Sequence, residues 1–407
     1  MNTNLLKCEV CKSTNIVPVL DLGDHPLCDD LVRLGGDNKC EEFPIEIAFC
    51  KDCLTALQIH QVPKRKLFPD SYHYRSSMTQ DVLNGMQGLV EKIKTTSGSL
   101  AGLRVVDIGC NDGSLLKIFK SEGAQVYGIE PTSAAHDAVA NGIEVLNDYF
   151  DPASARSLVT FFGNPDFVTF TNVFAHIENI DELLESVSIL MGVQTRLVVE
   201  NHYLGAVLDR CQFDTFYHEH PRTYSLTSFV KIAERLGRSI ESFEFPSRYG
   251  GNIRVVIGPG QPATGLEQAI AGEQGFVQKF LNMEKVIERW ILSRDSILAK
   301  VRCENGKVYG KAFPGRAAIL IKLLQLTDKD ITAVFEKPGS QKIGHYIPGT
   351  RIPIVSDDTL LSTVPSPRKL LNLAWHIQEE IERYLKSMDP EIECLSIFSD
   401  KDANLVS

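Results

Sequence analysis

At 407 residues, 43% hydrophobic and 23% charged, the chain has apolar material for two or three packed domains and too much of it for a disordered protein. Its formal net charge of -10 leaves no basic surface to track a phosphodiester backbone, which argues against nucleic acid as substrate. No apolar run approaches the ~18 residues of a membrane span, and the first residues lack the apolar core of a secretion signal. A cytoplasmic protein without a membrane partner is expected, with its ten cysteines serving as thiols or metal ligands.

Cys8 and Cys11 form one C-x-x-C and Cys50 and Cys53 another. Four thiolates suit one tetrahedral zinc with no open position, a structural site for a module over residues 1–70 that is too small to build its own core. The 38 residues between the pairs contain Cys28 and Cys40, so the ligand set is not forced, and a pair of redox thiols or coincidence are the competing readings. Tyr72, Tyr74, Ser76 and Ser77 then lead into a helix predicted from about Met78 to Thr96, closed by Ser97 and Gly98; packing alone would also explain the tyrosines.

The stretch from Arg104 to Glu130 reads as strand, glycine turn, helix and second strand. Val105, Val106 and Ile108 suit a buried parallel strand, Gly109 permits a tight turn, and Leu115, Leu116, Ile118 and Phe119 recur at helical spacing. Glu130 ends the second strand, about 20 residues past the turn, where a carboxylate accepts hydrogen bonds from ribose hydroxyls. A dinucleotide site wants three glycines for its pyrophosphate; this turn offers Gly109 and Gly113, with Asp107 and Asp112 beside them. Two acids would repel a pyrophosphate and suit a cationic amino group, which favours S-adenosylmethionine (SAM) over NAD. Asp107, Gly109, Asn111, Gly113 and Glu130 are the candidate contacts.

The alternation continues with a helix near Ala134 to Ala140 and a strand ending at Val145 or Leu146. Asp148, Tyr149 and Phe150 follow, either as a purine-binding pair of acid and aromatics or as a hydrophobic staple on the next helix. Asp166 to Phe170 is a fourth strand, with Asn172 and His176 past its carboxyl end, the side of an open α/β sheet where ligands sit. Leu197 to Glu200 is a fifth. Tyr217, His218, Glu219 and His220 then concentrate titratable groups in four residues. A neutral imidazole oriented by a nearby carboxylate would serve as general base, a reading placed above metal binding or an idle surface loop.

Ser225 to Arg235 reads as a capped helix, and Ser239 to Phe245 and Ile253 to Gly258 as strands around a tight turn at Gly250 and Gly251. Leu266 to Cys303 is helical, stopping at Gly306. A partial α/β unit follows, with a strand over Lys307 to Tyr309, a turn from Gly310 to Gly315, a helix to about Leu326 and a strand over Ala333 to Glu336. Its turn carries Lys311 and Arg316 and no acid, so it could meet a phosphate. Gly344 to Ile354 leads into a last strand, and Leu370 to Lys386 is predicted as a final helix. The fold class expected is α/β: a Rossmann-like, doubly wound SAM-binding sheet over residues 71–260, the small zinc module before it, and a partial Rossmann-like domain over residues 261–407.

With these residues in hand, the chain resembles the SAM-dependent sugar C-methyltransferases that act on nucleotide-linked 4-keto-deoxyhexoses. The resemblance covers the cysteine-pair module, a DYxYxSS-like segment at Ser71 to Ser77, VVDIGCNDGSLL, NVFAHI, FDTFYHEHxxxYS, GGNIRV and KIGHYIPGTRIPI. It implies a zinc-binding module, a central SAM domain and a C-terminal domain that helps hold the nucleotide sugar. By position it implies His220 as general base, with Tyr217 and Glu219 beside it and His176 and Tyr74 facing the sugar; His218 or a tyrosinate would be the next base candidates. The implied reaction is removal of the C3 proton next to a 4-keto group, followed by methylation of that carbon, in branched deoxysugar biosynthesis by a monomer or weak homo-oligomer. The chain departs from the family pattern at Tyr249, where histidine usually precedes the two glycines, at the GKAFPGR turn, and at His376, where asparagine usually follows the tryptophan. The alternatives are an N- or O-methyltransferase on a related small molecule and a non-catalytic zinc-module binding protein.

Overall fold

The computed structural model describes residues 7–69, 74–363 and 366–403. Ser71 and Tyr72 lie outside the described residues, as does the side chain of Tyr249.

Seven strands form the central sheet, in the spatial order Ser239–Glu244, Asn252–Gly258, Arg196–His202, Phe167–Thr171, Arg104–Ile108, Gln125–Ile129 and Val145–Leu146. Asn252–Gly258 runs antiparallel to both of its neighbours, and the other pairings are parallel. Helices cover both faces, which is why Val105, Val106 and Ile108 are apolar in succession and all buried. Two crossover helices start on reciprocal side-chain caps, Asp151 with Ser154 and Ser225 with Ser228. Sequence order reverses between Arg104–Ile108 and Phe167–Thr171, so the loops after these strands diverge and leave a crevice.

The C-terminal unit is more complete than its sequence suggests. Five parallel strands lie in the order Ile354–Ser356, Ala333–Glu336, Tyr309–Lys311, Lys369–Asn372 and Glu393–Ser396. The first strand sits two residues later than expected, and the expected helix from Leu370 divides into the strand Lys369–Asn372, a turn at Trp375–Ile377 and the helix Gln378–Met388. Leu370, Leu371 and Leu373 are all fully buried, and a short run of apolar residues buried on both faces carries no period that separates strand from helix. The long helical stretch also divides, into Leu266–Ala271, Phe276–Leu292 and Arg294–Val301, the first break falling at Gly272 and Gly275.

The N-terminal module is wedged between these two sheets and does not close on itself. Ile16–Pro26, Glu42–Cys50 and Ala56–Gln58 pair antiparallel, and the fourth strand of their sheet is Arg222–Thr223, two residues past His220. Ile45, Ile47 and Phe49 pack into the core shared with Phe276–Leu292 and the helix Ala317–Leu323. Cys8, Cys50, Cys53 and Leu57 pack into the core of the central sheet. The buried Arg222 bonds Glu9 at 2.5 Å, and His218 bonds the Phe43 carbonyl at 3.0 Å.

The helix Gln80–Ser97 is held to the central sheet by a buried ion cluster. Glu200, fully buried, accepts from Arg248 at 2.9 Å, Asn252 at 3.0 Å and Arg254 at 2.6 and 2.7 Å. Arg254 also donates to the Gly85 carbonyl at 3.3 Å. A Cβ on Gly85 would fall 1.9–2.2 Å from the Arg248 guanidinium, whereas one on Gly88 would meet nothing within 4 Å.

Replacing a helix-interior glycine by alanine ordinarily stabilises by about 0.5–1 kcal/mol. Gly85→Ala is expected to do the reverse, because expelling Arg248 from Glu200 breaks a buried pair worth about 3–5 kcal/mol on disruption. Urea titrations of the two single variants check this: Gly88→Ala should unfold at or above the parent midpoint and Gly85→Ala clearly below it. His218 supplies a second expectation, since burial pushes its imidazole down to about 4. Unfolding returns it towards the ordinary value of 6.5, so the unfolded chain binds the extra proton between those values and stability falls as pH drops through that window, by on the order of 3 kcal/mol. His218→Gln keeps a donor for Phe43 and removes the titration, so the slope of stability against pH between about 4 and 6.5 should flatten.

Candidate active site

One continuous cavity of about 840 Å³ opens where the carboxyl ends of the parallel strands of both sheets meet. Its first wall is the glycine turn. Gly109 has φ 70°, and a Cβ there would lie 2.6 Å from the Val173 side chain, so only glycine fits the bend. Glu130 accepts from the Asn111 N–H at 3.0 Å and from the Thr132 N–H and hydroxyl at 2.9 and 2.6 Å, which fixes both carboxylate oxygens at the cavity edge. Asn111, held left-handed at φ 50°, bonds the Tyr74 carbonyl at 3.2 Å and the Ser76 N–H at 2.9 Å, while Asp112 takes the Ser77 N–H at 2.9 Å. Tyr74 to Ser77 thereby form a strap across the turn.

The acids beside the turn are not placed as the sequence suggests. Asp107 is buried behind it, opposite Gly128 and Thr169 in the sheet, and accepts from the Thr169 hydroxyl at 2.7 Å. Burial pushes its carboxyl up to about 7, with Glu130 adding to the rise. Asp112 spends its other oxygen on the Ser114 N–H and hydroxyl, so neither acid presents a free carboxylate to the cavity. Gly113, left-handed at φ 76°, caps the helix Ser114–Ser121 and does not line the cavity. Asp148 is exposed and folds back on the Tyr149 N–H at 2.7 Å, outside the lining. Tyr149 does line it, with Lys64 4.5 Å above its ring, and Phe150 packs into the core against Phe170.

The second wall is a set of imidazoles from three separate stretches of chain: a strand end at His202, a short turn at His176 and the loop carrying His220. His220 lies with its ring centre 4.9 Å from His176, 5.3 Å from His202 and 4.3 Å from Tyr217. His176 stacks on Phe68 at 5.4 Å and an interplanar angle of 11°. His220 Nδ1 bonds the Thr215 carbonyl at 2.9 Å, so Nδ1 carries the hydrogen and Nε2 is the basic nitrogen. The orienting group is thus a backbone carbonyl and not the carboxylate expected, although Glu219 also lines the cavity. Burial pushes His220 down to about 4 against the pull of that hydrogen bond, and burial holds His176 and His202 well below the ordinary range. All three rings are neutral at pH 7. Burial, then Glu219, pushes the Tyr217 phenol well up, which favours its neutral form, and His218 points away to Phe43.

The third wall belongs to the C-terminal sheet, and here the phosphate expectation for Lys311 and Arg316 needs correction. Lys311 is buried and paired with Asp357 at 2.7 Å, and Arg316 is bidentate to Asp214 at 2.6 and 2.8 Å. Each cation on the turn is already matched by a buried carboxylate. Lys337 and Lys342, on the loop after Ala333–Glu336, also line this wall. His376 and Asn172 complete the lining near the imidazoles, Asn172 in the left-handed region at φ 56° and bonded to Asn252 at 3.3 Å. His202 was not singled out by sequence, although it ends its strand at the same edge of the sheet as Asn172 and His176.

The four cysteine sulfurs of the two C-x-x-C pairs lie within 4.8 Å of one another, Cys8 to Cys53 and Cys11 to Cys50 both at 3.5 Å. Zinc–sulfur bonds of about 2.3 Å in a tetrahedron require sulfurs about 3.8 Å apart, so the set fits zinc. Cys28 lines the cavity and Cys40 bonds the Asp30 carbonyl, so neither belongs to it.

Comparison with known proteins matches residues 8–68 to a family described as "Putative zinc binding domain", residues 74–242 to "Methyltransferase domain" and residues 247–391 to "C-methyltransferase C-terminal domain". The chain is 28% identical over 385 residues to the C-methyltransferase NovU of Streptomyces niveus, covering 92% of this chain and 91% of that one. A ubiquinone biosynthesis O-methyltransferase of Rhodopseudomonas palustris is 35% identical over 105 residues, 25% of this chain and 40% of that one. Among solved structures, magnesium protoporphyrin IX methyltransferase of Synechocystis PCC 6803 aligns with 44% of this chain and 83% of its own at 19% identity and a TM-score of 0.34. No helix among the described residues is long and apolar enough to cross a membrane. The chain thus carries a methyltransferase domain and a C-methyltransferase C-terminal domain in that order, and it is similar to a C-methyltransferase along nine-tenths of both chains.

Proposed function

We propose that the protein methylates C3 of a nucleotide-linked 4-keto-6-deoxyhexose, with His220 as general base, in the making of a branched-chain deoxysugar. The observation that carries this reading is the pairing, in one cavity, of a glycine turn and ribose-height carboxylate on one side with a backbone-oriented neutral imidazole on the other. A volume of about 840 Å³ is at the upper end of the roughly 300–1,000 Å³ of single-ligand sites, which suits a cofactor and a second ligand side by side. Residues 1–70 would form the zinc module, 71–260 the SAM domain and 261–407 the domain that holds the nucleotide, with Lys337 lining that wall for its phosphates.

SAM supplies an electrophilic methyl on a sulfonium. Glu130 would accept from its ribose hydroxyls, Gly109 and Asn111 would let it approach the backbone, Tyr149 would flank its base, and the strap from Tyr74 to Ser77 would exclude water over it. A C–H next to a ketone is weakly acidic because the carbanion delocalises onto the oxygen. His220 Nε2 takes the C3 proton, the C–H electrons move into the C3–C4 bond, and the carbonyl becomes an enolate. His176, Tyr217 or His202 donates to the oxygen as its charge grows. With SAM bound, the enolate's C3–C4 π electrons would form the bond to the methyl and the carbonyl would re-form, the carbon–sulfur electron pair going to sulfur. A neutral imidazole suits the first step, since a protonated base could accept nothing.

The four cysteines would hold zinc through thiolates alone, leaving it no position for substrate. Protein purified without chelator is expected to carry about one zinc per chain by elemental analysis; a metal-free, fully folded protein would remove the ion from the account. The chemistry is tested with SAM and a panel of nucleoside diphosphate 4-keto-6-deoxyhexoses, read by mass for one added methyl and by loss of the C3 proton in deuterium oxide. His220→Asn keeps polarity and cannot accept a proton at neutral pH, so exchange and methylation should fall together by roughly 100- to 10,000-fold with SAM affinity unchanged. Exchange that persists without methylation would make His220 a positioning group. Methyl transfer to nitrogen or oxygen with no proton exchange would replace the whole reading.

A further inference from the structure

Gln212, Asp214 and Thr215, just ahead of Tyr217 to His220, each hold a different part of the cavity wall. The Thr215 carbonyl accepts from His220 Nδ1. Asp214 is 1% exposed and accepts from Arg316 Nε and a terminal guanidinium nitrogen at 2.8 and 2.6 Å and from Trp375 Nε1 at 2.9 Å. Gln212 donates to the Gly250 carbonyl at 2.9 Å. Arg316 closes the GKAFPGR turn and Trp375 precedes His376, so these are two of the loops by which the C-terminal sheet reaches the cavity. One carboxylate therefore ties both loops to the residue next to the carbonyl that aims His220.

We propose that Asp214 is a positioning residue for proton abstraction, coupling the seating of the C-terminal loops around their ligand to the orientation of the His220 ring. The proposal rests on reading His220 as the base. Asp214 meets neither substrate nor SAM, and acts through the backbone at Thr215. A buried charge pair adds little net stability over an apolar contact of the same shape, so packing alone gives no reason for a carboxylate here. What it supplies is direction: the bidentate arrangement fixes the plane of Arg316 as well as its distance, and the indole bond fixes the tilt of Trp375. Trp375 is further held edge-on by Phe398 at 5.0 Å, so the bracket has little freedom to absorb a shift of either loop. A displacement of about 1 Å at the base is enough to cost on the order of 100-fold in rate.

The test uses the full-length enzyme, SAM and whichever nucleoside diphosphate ketosugar the parent turns over fastest. Trp375→Phe removes one bond to Asp214 and keeps an aromatic ring against Phe398; Asp214→Asn keeps shape and removes the charge. The rate constant for C3 exchange at saturation should fall roughly 10-fold in the first and 100-fold in the second, with KM for the ketosugar and Kd for SAM within about 2-fold. Because both changes act through one carboxylate, the double variant should be no slower than Asp214→Asn alone. Should Asp214→Asn fail to fold, Trp375→Phe still decides. An unchanged exchange rate in Trp375→Phe, or a loss carried wholly by KM, overturns the proposal and leaves the carboxylate to folding or ligand binding. A parent that exchanges no proton on any ketosugar overturns the reading of His220 as base, and this proposal with it.

Discussion

The candidate site depends on two sheets turning the carboxyl ends of their parallel strands towards one cavity. The strands Arg104–Ile108, Gln125–Ile129, Val145–Leu146, Phe167–Thr171 and Arg196–His202 lie in the spatial order three, two, one, four, five, and the five strands of the C-terminal sheet repeat that order. Each sheet opens a crevice where its order reverses. Facing the crevices towards each other gives a single enclosed space, with nucleotide-type turns at Gly109 on one side and at Gly310 to Gly315 on the other. The loops between them supply the chemistry.

Enclosure sets the electrostatics of that space. The two cations of the C-terminal turn that reach it are neutralised in pairs before any ligand arrives, Lys311 by Asp357 and Arg316 by Asp214. Among the rings, burial dominates and drives each imidazole towards its neutral form. Around His220 the wall therefore offers lone pairs and hydrogen-bond donors from neutral rings. That character suits the proposed removal of a proton from carbon, with no cationic histidine beside the sulfonium.

Sequence carried the central sheet well because its signals are local. Glycine at a positive-φ turn, apolar runs of five residues and an acid at a strand tip each report on their own neighbourhood, and Gly109, Glu130 and the paired cysteines are where those signals pointed. The failures have a common cause. Asp107 and Asp112 looked like ligands because spacing records distance along the chain and not the direction of a side chain, and both turn to partners within the fold. Lys311 and Arg316 looked free because their carboxylates lie 46 and 102 residues away. The orientation of His220 by a carbonyl could not be read at all, since every residue has one.

The sheet of the cysteine module is completed by Arg222–Thr223, and this has a consequence during synthesis. The module leaves the ribosome before either large sheet, yet its fourth strand and its partners in two cores are made only later. At about 5–20 residues per second, the wait between Gln58 and Arg222 is on the order of ten to thirty seconds. Throughout it the three early strands expose an unpaired edge, and the thiols of Cys50 and Cys53 are uncovered to solvent and oxidants. A metal ion bound early would clamp the two cysteine pairs together across that interval, so the zinc site has its greatest value to the nascent chain, before there is any active site to serve.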